Sequence, residues 1–211
     1  MKIFIIESPN PNDLFEGRNE KSSLEHICRM YGHKTSSLTT YSKADLEKIV
    51  NYLSIIKLEE NEHLCIHFSS HGNNSGIQIG GDFINWKEFT KILIPILTEL
   101  SVGNQTIISI SACHAKEQLI TTIINEAVRK YGSSIAPPIY FFVFNESRIK
   151  WNDALLCWSI LYHQLGKLSK FSKENIQSIV KRISNADFGE ILYFRWDSSK
   201  LKYLKFRPKI S

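Results

Sequence analysis

Two residues in this chain, His71 and Cys113, have side chains that could carry out nucleophilic catalysis together. A cysteine thiolate attacks carbonyl carbons, and histidine is the residue most often used to move a proton to or from a reacting group. His71 follows an apolar segment and precedes Gly72, whose backbone N–H can face a substrate because no side chain obstructs it. Cys113 follows a second apolar segment that ends in the small residues Ser111 and Ala112. The two segments therefore predict a nucleophile, Cys113, and a base, His71, that act from opposite sides on the same bond of a substrate.

The elements that position this pair follow from the hydrophobic pattern. Short apolar runs alternate with segments of helical periodicity, which is typical of parallel strands joined by crossover helices. The predicted strands are residues 2–7, 34–39, 63–69, 105–111 and 139–145, then a terminal pair at 191–196 and 201–206. The predicted helices are one capped by Ser42 and those at 21–31, 86–100, 116–131, 152–165 and 173–186. Pro95 is expected to kink or break the helix at 86–100. The alternating pattern of residues 76–85, with a glycine turn between its halves, predicts a small hairpin.

The predicted strands place His71 and Cys113 where parallel sheets collect catalytic groups, at the carboxyl ends of the strands. Neighbouring strands lie about 4.8 Å apart, so the two side chains would face one cleft if their strands are adjacent. A helix that begins a few residues after Cys113 would bring its positive end near the sulfur and favour the thiolate.

Composition narrows the class of protein. The chain has 211 residues, of which 43% are hydrophobic, and a net charge of +5. The only local concentration of basic residues, at 200–209, is more typical of a solvated edge strand than of a nucleic-acid site, so no nucleic-acid partner is expected. No apolar stretch approaches the roughly 20 residues that span a bilayer, and the start has no signal peptide. We therefore expect a cytoplasmic protein without a membrane partner, and we interpret Cys28, Cys65, Cys113 and Cys157 as reduced thiols.

The segments around the two residues resemble motifs of the caspase and metacaspase group of cysteine peptidases. Residues 64–72, which end in Ser-His-Gly, resemble the strand that carries the histidine of that group, and residues 107–113, which end in Ala-Cys, resemble the strand that carries its nucleophile. The order and the separation of about forty residues agree, and the resemblance covers roughly the first 145 residues. It is closest to small stand-alone bacterial members, which share Gly-Ile-Gln-Ile and then Trp86 after the His-Gly. His114-Ala115 differs from the Arg-Gly pair of animal caspases.

The resemblance implies one domain over 1–211 with a caspase-like three-layer α/β/α sandwich around a mostly parallel sheet of about six strands. It implies a cysteine endopeptidase in which Cys113 attacks a peptide carbonyl and His71 protonates the leaving amine. The backbone N–H groups of Gly72 and Cys113 would hold the oxyanion. No cofactor is expected, and the partners would be a protein or peptide substrate and a regulatory protein. The alternatives are a catalytically silent caspase-like module that binds a partner and a hydrolase of a small amide or thioester.

The resemblance also implies which residues shape the substrate pocket. In this group the pocket is lined by the strand that leads to the nucleophile and by the loop after the first strand. Here these segments offer Ser109 and Ser111 from the strand and Glu16 and Arg18 from the loop. Glu16 would favour Arg or Lys before the cleaved bond, whereas Arg18 would favour Asp, and basic specificity is the slightly favoured hypothesis.

A metal site is the competing interpretation of the same region. Cys65, His67, His71, Cys113 and His114 are residue types that bind zinc, but neither a C-x-x-C nor an H-E-x-x-H pattern is present. No metal is therefore predicted. Trp151 and Trp158 could form part of a substrate groove, but they are given no functional role because aromatic side chains on a helix more often belong to the core.

Overall fold

The computed structural model describes residues 1–115 and 119–207. Its strands, in chain order, are β1 (Lys2–Ser8), β2 (Lys34–Thr39), β3 (Leu64–Ser70), β4 (Gly72–Asn73), β5 (Gly76–Ile79), β6 (Asp82–Asn85), β7 (Thr106–Ser111), β8 (Tyr140–Phe144), β9 (Ile191–Asp197) and β10 (Lys202–Phe206). Seven of them form one sheet in the order β10-β9-β8-β7-β3-β1-β2. The five strands from β2 to β8 in that order are parallel, and β9 pairs antiparallel with both β8 and β10. The predicted mixed α/β class with a mostly parallel sheet is confirmed.

The expected count of about six strands was too low, because both members of the terminal pair join the sheet. The turn between them is closed by Asp197, whose Oδ1 accepts hydrogen bonds from the backbone N–H groups of Ser199 and Lys200. This short turn folds β10 back along β9. Tyr203 of β10 is buried and donates its hydroxyl hydrogen to the carbonyl oxygen of Pro138 at 2.7 Å, which secures the seventh strand.

Helices cover both faces of this sheet. They are α1 (Pro11–Phe15), α2 (Lys21–Met30), α3 (Lys43–Ser54), α4 (Trp86–Ile92), α5 (Ile94–Thr98), α6 (Leu100–Gly103), α7 (Ile120–Tyr131), α8 (Trp151–Gly166) and α9 (Lys173–Asn185). The buried residues of α2, α8 and α9 share one apolar core with one face of the sheet, and those of α3, α4, α5 and α7 share a second core with the other face. The result is a three-layer α/β/α arrangement, since each strand alternates its side chains between the two cores.

Three local predictions differ from the structure. The predicted helix 86–100 is divided into α4, α5 and α6, and Pro95 lies in the first turn of α5, where its missing N–H costs no helical hydrogen bond. The loop after β1 contains the short helix α1, where the sequence pattern predicts no helix. The predicted hairpin exists as β5 and β6, and the two-residue β4 extends it to three strands.

Parts of two predictions lie outside the described residues. These are the first residues of the predicted helix 116–131, whose described part is α7, and the end of the basic stretch 200–209. Among the helices of the described ranges, none combines the length and apolar character needed to cross a bilayer.

Candidate active site

The parallel pairing of β3 with β7 brings His71 and Cys113 to the same edge of the sheet. Ser69 of β3 lies opposite Ser111 of β7, and each of the two candidate residues follows two positions later. Both line one cavity of about 60 Å³ at the carboxyl ends of the strands. Its described lining is Ser70, His71, Ser111, Ala112, Cys113, Ile149, Trp151 and Ala154. The sequence therefore identified two residues that share a cleft.

His71 is held by a carboxylate that the sequence interpretation did not include in the catalytic pair. The Nε2 atom of His71 lies 2.6 Å from Oδ2 of Asp13, whose side chain is fully buried, whereas the His71 side chain is 44% exposed. A carboxylate only accepts hydrogen bonds, so Nε2 carries the hydrogen and donates it. In the neutral ring this leaves Nδ1 as the basic nitrogen.

Asp13 is fixed by the helix in which it lies. Asn10 caps α1 by accepting a hydrogen bond from the Asp13 backbone N–H at 2.9 Å, and Asp13 Oδ2 accepts one from the Asn10 backbone N–H at 3.1 Å. Pro11 occupies the first turn, where proline is preorganised for a helix. This reciprocal capping box is readable in the sequence Asn10-Pro11-Asn12-Asp13, and it was the signal that could have identified Asp13.

Glu16 and Arg18, the two alternative pocket residues, are paired with each other. Nη1 of Arg18 lies 2.8 Å from Oε2 of Glu16, and Nε of Arg18 lies 3.4 Å from Oδ1 of Asp13. Neither residue belongs to the described lining of the cleft. The structure does not bring either residue to the lining of this cleft, and their part in the substrate pocket stays a prediction. The turn after α1 directs Arg18 back onto Asp13, where its positive charge faces the carboxylate that binds His71.

Gly72 lies directly against the segment that carries Cys113. An added Cβ at Gly72 would lie 3.0 Å from both the Cβ of Ala112 and the carbonyl oxygen of Cys113. The position also belongs to β4, and the His71 carbonyl accepts a hydrogen bond from Gln78 N–H of β5 at 2.9 Å. A side chain at this position would make unusually tight contacts with the Cys113 segment, so glycine allows the close approach of the two backbones.

Cys113 is the accessible thiol of the four. All four cysteines are free, but Cys28, Cys65 and Cys157 are buried. Burial raises the pKa of Cys65 and of Cys157 to about 12, with neighbouring carboxylates, Glu146 first, adding to the rise at Cys157, and burial also raises the pKa of Cys28. Those three thiols remain protonated near neutral pH. Cys113 is partly exposed at the cleft, and the next residue, His114, adopts a left-handed backbone with φ of 58°, which bends the chain sharply after the sulfur.

A buried carboxylate lies behind the cleft. Glu20, 1% exposed, accepts hydrogen bonds from the hydroxyls of Ser69 at 2.5 Å and of Ser111 at 3.2 Å. Nε2 of His67 lies 3.6 Å from the same carboxylate, and Nδ1 of His67 lies 2.7 Å from the hydroxyl of Tyr162. The sequence interpretation missed Glu20, because it lies at the start of α2, outside any motif.

Ser109 does not line the cleft, although Ser111 does. Its side chain is fully buried, and its hydroxyl lies 3.9 Å from the sulfur of Cys65, which also donates a hydrogen bond to the hydroxyl oxygen of Tyr162 at 3.7 Å. The structure therefore does not bring Ser109 to the lining of this cleft, and its part in the substrate pocket stays a prediction. Side chains alternate between the two faces of a strand, so Ser109 and Ser111 lie on the same face. Ser111 is two positions nearer the carboxyl end of the strand, where the cleft lies.

Trp151 and Ile149, by contrast, form an apolar wall of the cleft. The Trp151 ring meets the His71 ring edge to face with centroids 6.0 Å apart, whereas Trp158 is fully buried as predicted. Trp151 was assigned to the core because its place in the first turn of α8 is not readable as cleft-facing from periodicity alone.

The site thus combines an accessible thiol, an imidazole bound to a buried carboxylate and a glycine that allows close backbone approach. These are the groups that nucleophilic attack on a carbonyl carbon requires. In the described part of the chain, no group of three or more His, Cys, Asp or Glu side chains is arranged to hold a metal ion. The chain matches no protein-family model and no curated protein.

Proposed function

We propose that this protein is a caspase-like cysteine peptidase in which Cys113, His71 and Asp13 act as nucleophile, base and positioning carboxylate. The observation that carries the proposal is the His71–Asp13 hydrogen bond of 2.6 Å beside an accessible thiol in one cleft. A satisfied loop histidine would have no need of a buried carboxylate partner, whereas a catalytic histidine needs one ring nitrogen held so that the other meets the nucleophile.

The chemistry then follows in two stages. The Cys113 thiol loses its proton to Nδ1 of His71, and the sulfur attacks the carbonyl carbon of the substrate. The negative charge that develops on the carbonyl oxygen is met by the backbone N–H groups of Gly72 and Cys113. His71 gives its proton to the departing amine, and the C–N bond breaks to leave a thioester on Cys113. Water, deprotonated by His71, hydrolyses the thioester and restores the thiol.

Asp13 contributes through His71. Its carboxylate accepts the Nε2 hydrogen at all stages and stabilises the imidazolium that forms after proton transfer, without being protonated itself. Nε of Arg18 lies 3.4 Å from Oδ1, the other oxygen of Asp13, so a positive charge also faces this carboxylate. The complete burial of Asp13 strengthens its interaction with His71, because little water screens it.

Glu20 supports a basic rather than an acidic side chain before the cleaved bond. Ser111 lines the cleft and is hydrogen-bonded from behind to the Glu20 carboxylate, so the floor of the cleft carries negative charge. Trp151 and Ile149 offer apolar surface to the methylene groups of a Lys or Arg side chain. This assigns to Glu20 the role that the sequence interpretation gave to Glu16.

The test is a peptide library incubated with the purified protein, its Cys113→Ala variant and a Cys28→Ala control. We expect cleavage by the parent protein and by the control, and none by Cys113→Ala. Cleavage that persists without the Cys113 sulfur would refute the mechanism. Absence of cleavage by all three folded proteins would instead favour a silent binding module.

A further inference from the structure

A second cavity, of about 450 Å³, lies at the end of the sheet opposite to the proposed active site. His63 and Ile139 line it, and these residues immediately precede β3 and β8, whereas His71 follows β3. Each strand residue advances about 3.3 Å, so the seven residues of β3 separate the two cavities by roughly 23 Å. The volume lies within the range of about 300–1,000 Å³ that is typical of small-molecule sites.

Aromatic side chains form much of the wall of this second cavity. The rings of His63 and Phe171 are stacked with centroids 4.3 Å apart and an interplanar angle of 29°. Tyr140, which is buried, and Trp196 also line the cavity. The Trp196 ring packs against the Tyr203 ring, with their centroids 5.2 Å apart. Such a wall favours a flat aromatic ligand, because aromatic faces stack on one another with little sequence or substituent preference.

Two cationic side chains stand at the same cavity. Arg195 lies opposite Tyr140 in the β8–β9 ladder, and its Nε is buried without a hydrogen-bond partner among the described residues. Lys170 is exposed on the connection between α8 and α9. Within the described chain, no carboxylate lies within 4 Å of either cation. Glu174 is farther away on the surface, and Arg195 is one of the smaller contributions to its lowered pKa, after hydrogen bonds to its carboxylate. A buried donor without a partner is rare in native proteins and calls for one.

We propose that this cavity binds a nucleoside monophosphate, with the base against the rings of His63 and Phe171 and the phosphate against Arg195 and Lys170. The guanidinium remains charged at any physiological pH and offers a planar pair of donors to phosphate oxygens. Stacking alone would accept any flat molecule, and two cations alone would accept any small anion. The combination selects a ligand that carries both an aromatic ring and a phosphate.

Calorimetric titration of the full chain with AMP, GMP, CMP and UMP tests this site, with adenosine and inorganic phosphate as the half-ligands. We expect one nucleotide per chain, bound at least tenfold more tightly than adenosine and phosphate. Failure of all four nucleotides to bind at millimolar concentration would overturn the proposal. Binding no tighter than that of phosphate would overturn it equally.

Variants then locate the binding. Arg195→Gln and Lys170→Gln should each weaken binding of the nucleotide at least fivefold. Lys48→Gln removes the same charge from α3, in the layer on the other face of the sheet, and should leave binding unchanged. Because Lys170 is exposed, its variant is expected to fold even if Arg195→Gln does not. Equal loss of affinity in Lys48→Gln, or unchanged affinity in Lys170→Gln, would contradict the proposed site.

Discussion

Nε2 of His71 and Oδ2 of Asp13 lie 2.6 Å apart, although 58 positions separate the two residues in the chain. The carboxylate reaches the imidazole because a five-residue helix, α1, turns the chain back immediately after β1. This contact gives His71 a fixed orientation and gives Asp13, which is completely buried, the charge-assisted hydrogen bond that a buried carboxylate requires. The same hydrogen bond therefore stabilises the loop that contains Asp13 and orients the imidazole in the cleft.

Replacement of Asp13 by Asn should reduce kcat by about 10² or more while the protein remains folded. The amide keeps an oxygen that can serve the α1 cap, but it cannot stabilise the imidazolium as a carboxylate does. Steady-state kinetics on the best library peptide would measure the loss, and circular dichroism would verify the fold. Glu16→Gln, which removes a negative charge on the same turn, should change kcat less than threefold. Equal effects of the two changes would mean that Asp13 acts only through general electrostatics.

Replacement of Gly72 by Ala should lower kcat at least tenfold, since the new methyl group would lie 3.0 Å from the Cys113 carbonyl oxygen and from Ala112. The neighbouring atoms must give by a few tenths of an ångström, and the Cys113 backbone, which supplies one of the proposed N–H donors, is among them. Gly81→Ala is the matched control, because an added Cβ there meets no atom within 4 Å. Undiminished turnover by Gly72→Ala would argue against this backbone as the oxyanion site.

Iodoacetamide should label Cys113 well before the other three cysteines in the native protein. Burial raises the pKa of Cys28, Cys65 and Cys157, so these thiols are both inaccessible and protonated at pH 8. Mass spectrometry of tryptic peptides after short labelling times would rank the four sites, and labelling in urea should remove the difference. Uniform native labelling is the result that the structure does not allow.

The free energy of unfolding should decrease as the pH rises above about 9. The folded-state pKa of the three buried thiols lies above the ordinary value of 9.0, so above that pH the unfolded chain releases protons that the native protein retains. The stabilisation is complete below pH 9 and is lost progressively toward pH 12 for Cys65 and Cys157. Each thiol contributes up to about 1.4 kcal/mol per pH unit. Urea titrations at pH 8, 9 and 10 would measure the slope, which Cys65→Ala should reduce by up to about 1.4 kcal/mol per pH unit. A constant stability across this range would contradict the burial of the thiols.

Peptides that end in Arg before the cleaved bond should be turned over at least tenfold faster than matched peptides that end in Asp. The Glu20 carboxylate behind Ser111 attracts a guanidinium and repels a second carboxylate, and like charges brought together at a desolvated site cost several kcal/mol. Glu20→Gln should bring the two kcat/KM values closer, mainly by improving the Asp peptide. Faster turnover of the Asp peptide by the parent protein would exclude Glu20 as the determinant.

Local pattern was sufficient for most of the sheet and for the two central residues of the site. Hydrophobic runs of strand length identified β3 and β7, and the residues that follow a buried strand must emerge at its carboxyl end, so His71 and Cys113 could be located without a structure. Helical periodicity likewise predicted α8 and α9, because one-sided burial repeats every three to four residues.

The partners of those residues were decided by tertiary structure alone. Asp13 meets His71, and Glu20 meets Ser111 across 91 positions, because α1 and α2 fold over the edge where the strands end. The choice between Glu16 and Arg18 as pocket residues also had no answer in the sequence, since their mutual ion pair depends on the path of one turn. Periodicity reports which face of an element is buried, but a hydrogen bond between distant segments depends on where the loops return, and that is set only when the whole sheet has assembled.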